Sequence, residues 1–179
     1  MKKRWIVGFA ALAVVVAGLW IGCSKAGREW YSEMQIRHGV SHALEISVKE
    51  GTLLSQKDSH VGFHGDGESC TVFQFLDDRF AQKIAASGDW QQFPVDGVTE
   101  VLLYGKETEA SDGTLEKKGP YFKEVVGPVE NGWYRVIDRH SEAKEGQNAI
   151  EILQRGSFNV TVALYDADTD TLYVYKLDT

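Results

Sequence analysis

The chain has 179 residues, with 19 Lys+Arg against 26 Asp+Glu and a net charge of -7. Hydrophobic residues make up 43% and prolines number 3, which excludes a disordered, collagen-like or low-complexity chain. Its 2 cysteines exclude a disulfide-dense scaffold and a multi-cysteine zinc ribbon.

Lys2, Lys3 and Arg4 form a basic start, and Trp5 to Ser24 carries no charge before Lys25 closes the run. At 1.5 Å per helical residue such a run spans about 30 Å, the thickness of a hydrocarbon core. The sequence therefore predicts residues 1–25 as a membrane anchor or signal segment and residues 26–179 as an exported α+β domain. Three fates compete. A cleaved signal peptide has a shorter apolar stretch than this one. A lipoprotein signal would make Cys23 the lipidated residue after Gly22, with Trp20 a poor fit to the usual leucine. A transmembrane helix retained through residues 5–24 is favoured, because Trp5 and Trp20 bracket the run and Trp prefers both membrane–water interfaces. The basic start keeps the N-terminus in the cytoplasm and puts the rest outside. Removing Lys2, Lys3 and Arg4 leaves 16 basic against 26 acidic residues, a balance of -10. So acidic a domain is repelled by phosphate backbones and by anionic lipid headgroups, which argues against nucleic acid as a partner.

Beyond the anchor, Glu29 to Arg37 reads as a helix ended by Gly39. Leu44, Ile46 and Val48 alternate like a strand, with Glu50-Gly51 turning into a second strand at Thr52 to Ser55. Lys57 to Glu68 reads as a loop and Thr71 to Leu76 as a strand. Asp77-Asp78 is expected to cap a short helix with Phe80 and Ile84 on one face and Gly88 past its end. Val98 to Tyr104 reads as a strand, Lys106 to Gly119 as an exposed connection and Tyr121 to Val126 as an edge strand. Trp133 to Asp138 is a strand after the Asn131-Gly132 turn, and Asn148 to Gln154 a short helix. Phe158 to Tyr165 and Thr171 to Leu177 form a hairpin across Asp166 to Asp170. Strands dominate and long crossovers are few, so the expected class is α+β: a transmembrane helix, then a single domain with a mainly antiparallel sheet and a few short helices.

The segment Asp58-Ser59-His60-Val61-Gly62-Phe63-His64-Gly65-Asp66-Gly67-Glu68 gathers two imidazoles and three carboxylates. Its glycines permit close backbone approach and positive φ. One reading makes His60, His64, Asp66 and Glu68 a ligand site, or His60, His64 and Asp66 a site for a divalent metal, with Asp58 or Glu68 orienting an imidazole. His42 or His140 would supply a third imidazole, as catalytic zinc uses three protein ligands and one open position. The competing reading is a structural loop, with Asp66 bonded to nearby amides and Phe63 in the core. His38 and His42 share the four-residue spacing, with Gly39 between them as a helix breaker. Asp138-Arg139-His140-Ser141-Glu142 reads as a charged cluster at a strand end, and Cys70 as a small core residue. Asp166, Asp168 and Asp170 begin like a calcium loop but lack its Gly and its bidentate Glu, so a solvated turn is expected.

Three stretches together resemble a family of small, uncharacterised bacterial envelope proteins with an N-terminal anchor or lipoprotein signal. They are Asp58 to Glu68 (DSHVGFHGDGE), Val129 to Glu142 (VENGWYRVIDRHSE) and Phe158 to Thr179 (FNVTVALYDADTDTLYVYKLDT). Val61 departs from that family's His-Gly-Gly-Phe-His pattern. The resemblance implies a location at the cell membrane, with the domain outside the cytoplasm, and no particular chemistry. The expected function is a binding or structural envelope module that meets an envelope protein or a small ligand. The alternative is a metal-dependent or hydrolytic enzyme at the His60–Glu68 loop.

Overall fold

The computed structural model describes residues 24–60, 65–109, 115–140 and 149–179. The apolar run up to Cys23 lies outside these residues, as do His64, Ser141 and Glu142. No helix among the described residues is long and apolar enough to cross a membrane.

The described chain is α+β with a mainly antiparallel sheet. It runs from helix α1 (Lys25–Leu44) through strands β1 (Thr52–Asp58) and β2 (Gly67–Gln74) to helix α2 (Arg79–Ser87). Strand β3 (Gln91–Gln92), helix α3 (Gly97–Leu103) and strands β4 (Lys106–Glu109) and β5 (Leu115–Lys118) follow. Strand β6 (Gly132–Asp138), a 3-10 turn (Ala149–Gln154) and strands β7 (Asn159–Asp166) and β8 (Thr171–Asp178) complete it. Six strands form one sheet in the order β1-β2-β8-β7-β6-β3, and β4 and β5 form a separate two-stranded ribbon.

The C-terminal hairpin is the centre of the sheet. β7 and β8 pair from Asn159↔Asp178 to Asp166↔Thr171, with β2 on one side and β6 on the other. Both faces are covered. Phe73, Ala163, Tyr165, Leu172 and Val174 meet Val40 and Leu44 of α1 and Phe80 and Ile84 of α2. On the other face Val160, Val162, Leu164, Tyr175 and Leu177 meet Val98, Leu102 and Leu103 of α3 together with Phe122 and Ile152. A strand buried on both faces loses the polar alternation of a half-buried one, which explains the near-continuous apolar run of β7.

Several elements differ from the sequence expectations. α1 does not stop at Gly39 but continues to Leu44, where Glu45 takes a left-handed backbone (φ 52). An interior glycine costs a helix about 1 kcal/mol, and burial of Val40 and Leu44 offsets that cost. Leu44, Ile46 and Val48 are therefore a helix end and a turn, not a strand. β1 consequently pairs with β2 instead of forming a hairpin at Glu50-Gly51. Arg37 fixes the turn: its guanidinium donates to the Val48 carbonyl at 3.3 Å and to the Gly51 carbonyl, and lies 5.5 Å from the Phe73 ring centre.

Val98 to Tyr104 is helical in place of the expected strand. Asp96 caps it by accepting from the Thr99 amide at 2.7 Å, and Val98, Val101 and Leu102 share its buried side. Tyr121 to Val126 is not a strand either. Side chains hold it: Glu68 accepts from the Lys123 amide at 2.9 Å and Tyr175 from the Val126 amide at 3.0 Å. The connection from Lys106 to Gly119 contains the β4–β5 ribbon.

Candidate functional site

Strands β1, β2 and β8 bring one row of polar side chains to the face beneath α1. The register sets Asp58 against Ser69, Gln56 against Thr71, Ser69 against Lys176 and Thr71 against Val174. Because alternate residues share a face, Val174, Lys176 and Asp178 follow one another along β8 on this side. Under the C-terminal half of α1 the same face is apolar and filled. Toward the end of β8 it becomes polar and opens. The result is a cleft of about 410 Å³ between Gln35, Ile36 and Val40 above and Gln56, Lys176 and Asp178 below.

His60 sits at the rim, tied at both nitrogens. Its Nδ1 lies 2.6 Å from Asp58 Oδ1 and its Nε2 lies 3.1 Å from Asp178 Oδ2. Asp58 also accepts from the His60 amide at 2.9 Å. Arg139 completes the group, with Nη2 at 2.8 Å from Asp178 Oδ1 and Nε donating to Thr161 Oγ1 at 2.9 Å. Burial opposes ionisation of Asp58. The His60 amide and ring hydrogen bonds outweigh it, and with the Lys176 ammonium nearby they hold the carboxyl below its ordinary value.

Gly67 lets the β1–β2 connection close tightly behind this histidine. A Cβ at that position would meet His60 Cα at 2.6 Å, closer than backbone tolerates. Ser59 then bridges the two strands, its hydroxyl donating to the Glu68 carbonyl and accepting from the Glu68 amide, each at 2.9 Å.

The sequence candidates separate in space. His60 belongs to the cleft, while Asp66 is exposed beside Gly65 and does not line it. The Glu68 carboxylate turns to the Lys123 amide and to Lys123 Nζ at 3.5 Å, binding the 121–126 segment to β2. His38 and His42 are exposed on α1, and neither lines the cleft. His140 lies on the far side of the strand end, with Nε2 3.2 Å from Ser157 Oγ. His64 and Cys23 are outside the described residues. Among the described residues no group of three or more His, Cys, Asp or Glu side chains is arranged to hold a metal ion.

The remaining candidates have structural uses. Asp138 pairs with Arg155 at 2.6 Å. Asp166 accepts from the Asp168 amide at 2.9 Å and from the Thr169 hydroxyl at 2.8 Å, and Asp170 from the Tyr165 hydroxyl at 2.7 Å, so the aspartates shape the β7–β8 turn. Burial pushes the Cys70 thiol up to about 11, which leaves it a neutral, poorly nucleophilic group near neutral pH.

Sequence reasoning missed Lys176, Asp178, Ser69, Thr71, Gln35 and Gln56, which form most of the cleft's polar lining. A signal for the first two was present. Along β8 one alternate row reads Leu172, Val174, Lys176, Asp178, and its change from apolar to charged marks where that face leaves the core. Lys176 forms no ion pair with any described residue, although Asp58 feels its charge. Compared with known protein families, with curated proteins and with solved structures, the chain matches none.

Proposed function

We propose that the chain is a membrane-tethered, extracytoplasmic binding module that takes a small polar ligand in the cleft beneath α1. The tether reading rests on the basic start followed by the uncharged run Trp5 to Ser24, and on the resemblance to anchored envelope proteins. The ligand reading rests on one observation: the Lys176 ammonium, without an ion pair among the described residues, on the floor of a cleft of about 410 Å³. That volume falls within the usual range for small-molecule sites, about 300–1,000 Å³. An acidic group on the ligand would meet Lys176. Hydroxyls on the ligand would meet Gln56, Ser69 and Thr71 on the strands and Gln35 on the helix. The Asp58–His60–Asp178–Arg139 chain fixes the rim. Both nitrogens of its histidine are already engaged, which favours a holding role over proton abstraction.

Thermal unfolding of the detergent-solubilised full chain against a panel of sugar acids, dicarboxylates and amino acids tests this. A ligand present at 100 times its Kd stabilises by about 2.7 kcal/mol, a rise in Tm of roughly 5–10 °C for a chain of this size. One class in the panel should produce that rise, and Lys176→Met should abolish it while leaving the unliganded chain cooperatively folded. No rise with any member, or a rise that survives Lys176→Met, contradicts the reading.

A further inference from the structure

The first half of α1 carries an apolar side that joins neither hydrophobic core of the described residues. Trp30, Tyr31 and Met34 are 65%, 56% and 41% exposed, while Val40 and Leu44 on the helix's other side are buried against the sheet. Positions 27, 30, 31, 34, 38 and 41 lie three, four, seven and eleven residues apart, so they share one stripe. No acidic residue falls in that stripe, although the chain carries 26 of them. The neighbouring acids face away and are paired, Glu29 with Lys25 and Glu33 with Arg37. At the stripe's lower end Met34, His38 and Ser41 line a hollow of about 490 Å³ with Lys49, which brings an ammonium to the same side.

The uncharged run lies next to this stripe in the chain. Ser24, the N-cap of α1, ends the uncharged run that begins at Trp5. We propose that α1 lies along the bilayer surface, with Trp30, Tyr31 and Met34 seated in the lipid headgroup layer. This rests on the tether reading and specifies how the domain meets the membrane. An upright helix would not serve: at 1.5 Å per residue Met34 would stand about 15 Å from Ser24, outside an interfacial layer about 5–7 Å deep. A change of chain direction at Ser24 would bring the stripe to the surface layer. The Ser24 backbone is extended (ψ 153) and its hydroxyl accepts from the Gly27 amide at 3.0 Å, so α1 begins there with a capped N-terminus. Amphipathic rings are the side chains that favour the headgroup boundary, and an acid-free face is what anionic headgroups tolerate.

The test uses the full chain reconstituted into phosphatidylcholine–phosphatidylglycerol vesicles, with lipids brominated near the headgroup or deep in the acyl region. Wild type is compared with Trp30→Phe, a conservative change at an exposed site. Trp5, Trp20 and Trp30 would all contribute to quenching by the shallow lipid, so Trp30→Phe should lower it by about one third and leave deep quenching unchanged. Unchanged shallow quenching in a chain that floats with the vesicles overturns this inference and leaves the tether intact. So does a Trp30 that is dark to lipid but shielded from aqueous iodide in proportion to protein density, which assigns the stripe to a second copy. A chain that does not float with the vesicles overturns the tether and this inference together.

Discussion

Asp58 and His60 show how single residues define the rim of the cleft. Asp58 has its pKa held down in the fold, so the folded state favours its carboxylate. That contribution is fully present above the unfolded value of 3.8 and is lost as pH falls through the lower folded value. Urea midpoints of wild type and Asp58→Asn should therefore differ near neutral pH and converge as the pH drops below 3.8. A gap that stays constant over that range would separate Asp58 from any charge-dependent role. The carboxylates around His60 were visible in the sequence, but Asp178 lies 118 positions away and reaches it only through the pairing of β2 with β8. Local spacing had grouped His60 with Asp66 and Glu68 instead. Chain geometry separates them, because Glu68 lies on β2 next to Ser69 and so faces the opposite side of the sheet.

At the level of elements, legibility followed how much each segment depends on distant partners. The β7–β8 hairpin was readable because its residues, its turn and its partner are contiguous. The helix after Asp77-Asp78 was readable for the same reason: Phe80 and Ile84 lie one turn apart and Gly88 ends it with φ 75. α3 was not, because Val98, Thr99 and Val101 are β-branched, and only burial against Val160 and Leu177 overrides that preference. α1 beyond Gly39 failed similarly, since packing of Leu44 rather than propensity decides the boundary. Helicity there predicts a gain from removing the glycine. A Cβ at position 39 meets nothing within 4 Å, so Gly39→Ala should stabilise the chain by about 0.5–1 kcal/mol. Leu44→Ala should cost about 2–5 kcal/mol by leaving a hole where the helix meets the sheet. Denaturant midpoints at fixed pH read both. A loss of stability in Gly39→Ala would mean that α1 is not helical at that point.

Over the whole molecule, the layers assign each surface a task. α3, the 3-10 turn and the 121–126 segment seal one side of the sheet. On the other side α1 and α2 seal only the end near the β7–β8 turn, leaving the polar end as a cleft. The sheet depends on the last residues of the chain, since β8 is flanked by β2 and β7 and supplies Lys176 and Asp178. Under the proposed function, the uncharged run at the other end of the chain would set where this cleft is presented. That run is proposed to hold the domain to the outer side of a membrane. The most direct measurement is the addition of an impermeant protease to intact bacterial spheroplasts making the full chain. The account predicts that residues beyond Ser24 are digested without lysis and that the undigested chain sediments with membranes. Full-length chain protected until lysis, or recovered freely soluble from the cytosol, would contradict it.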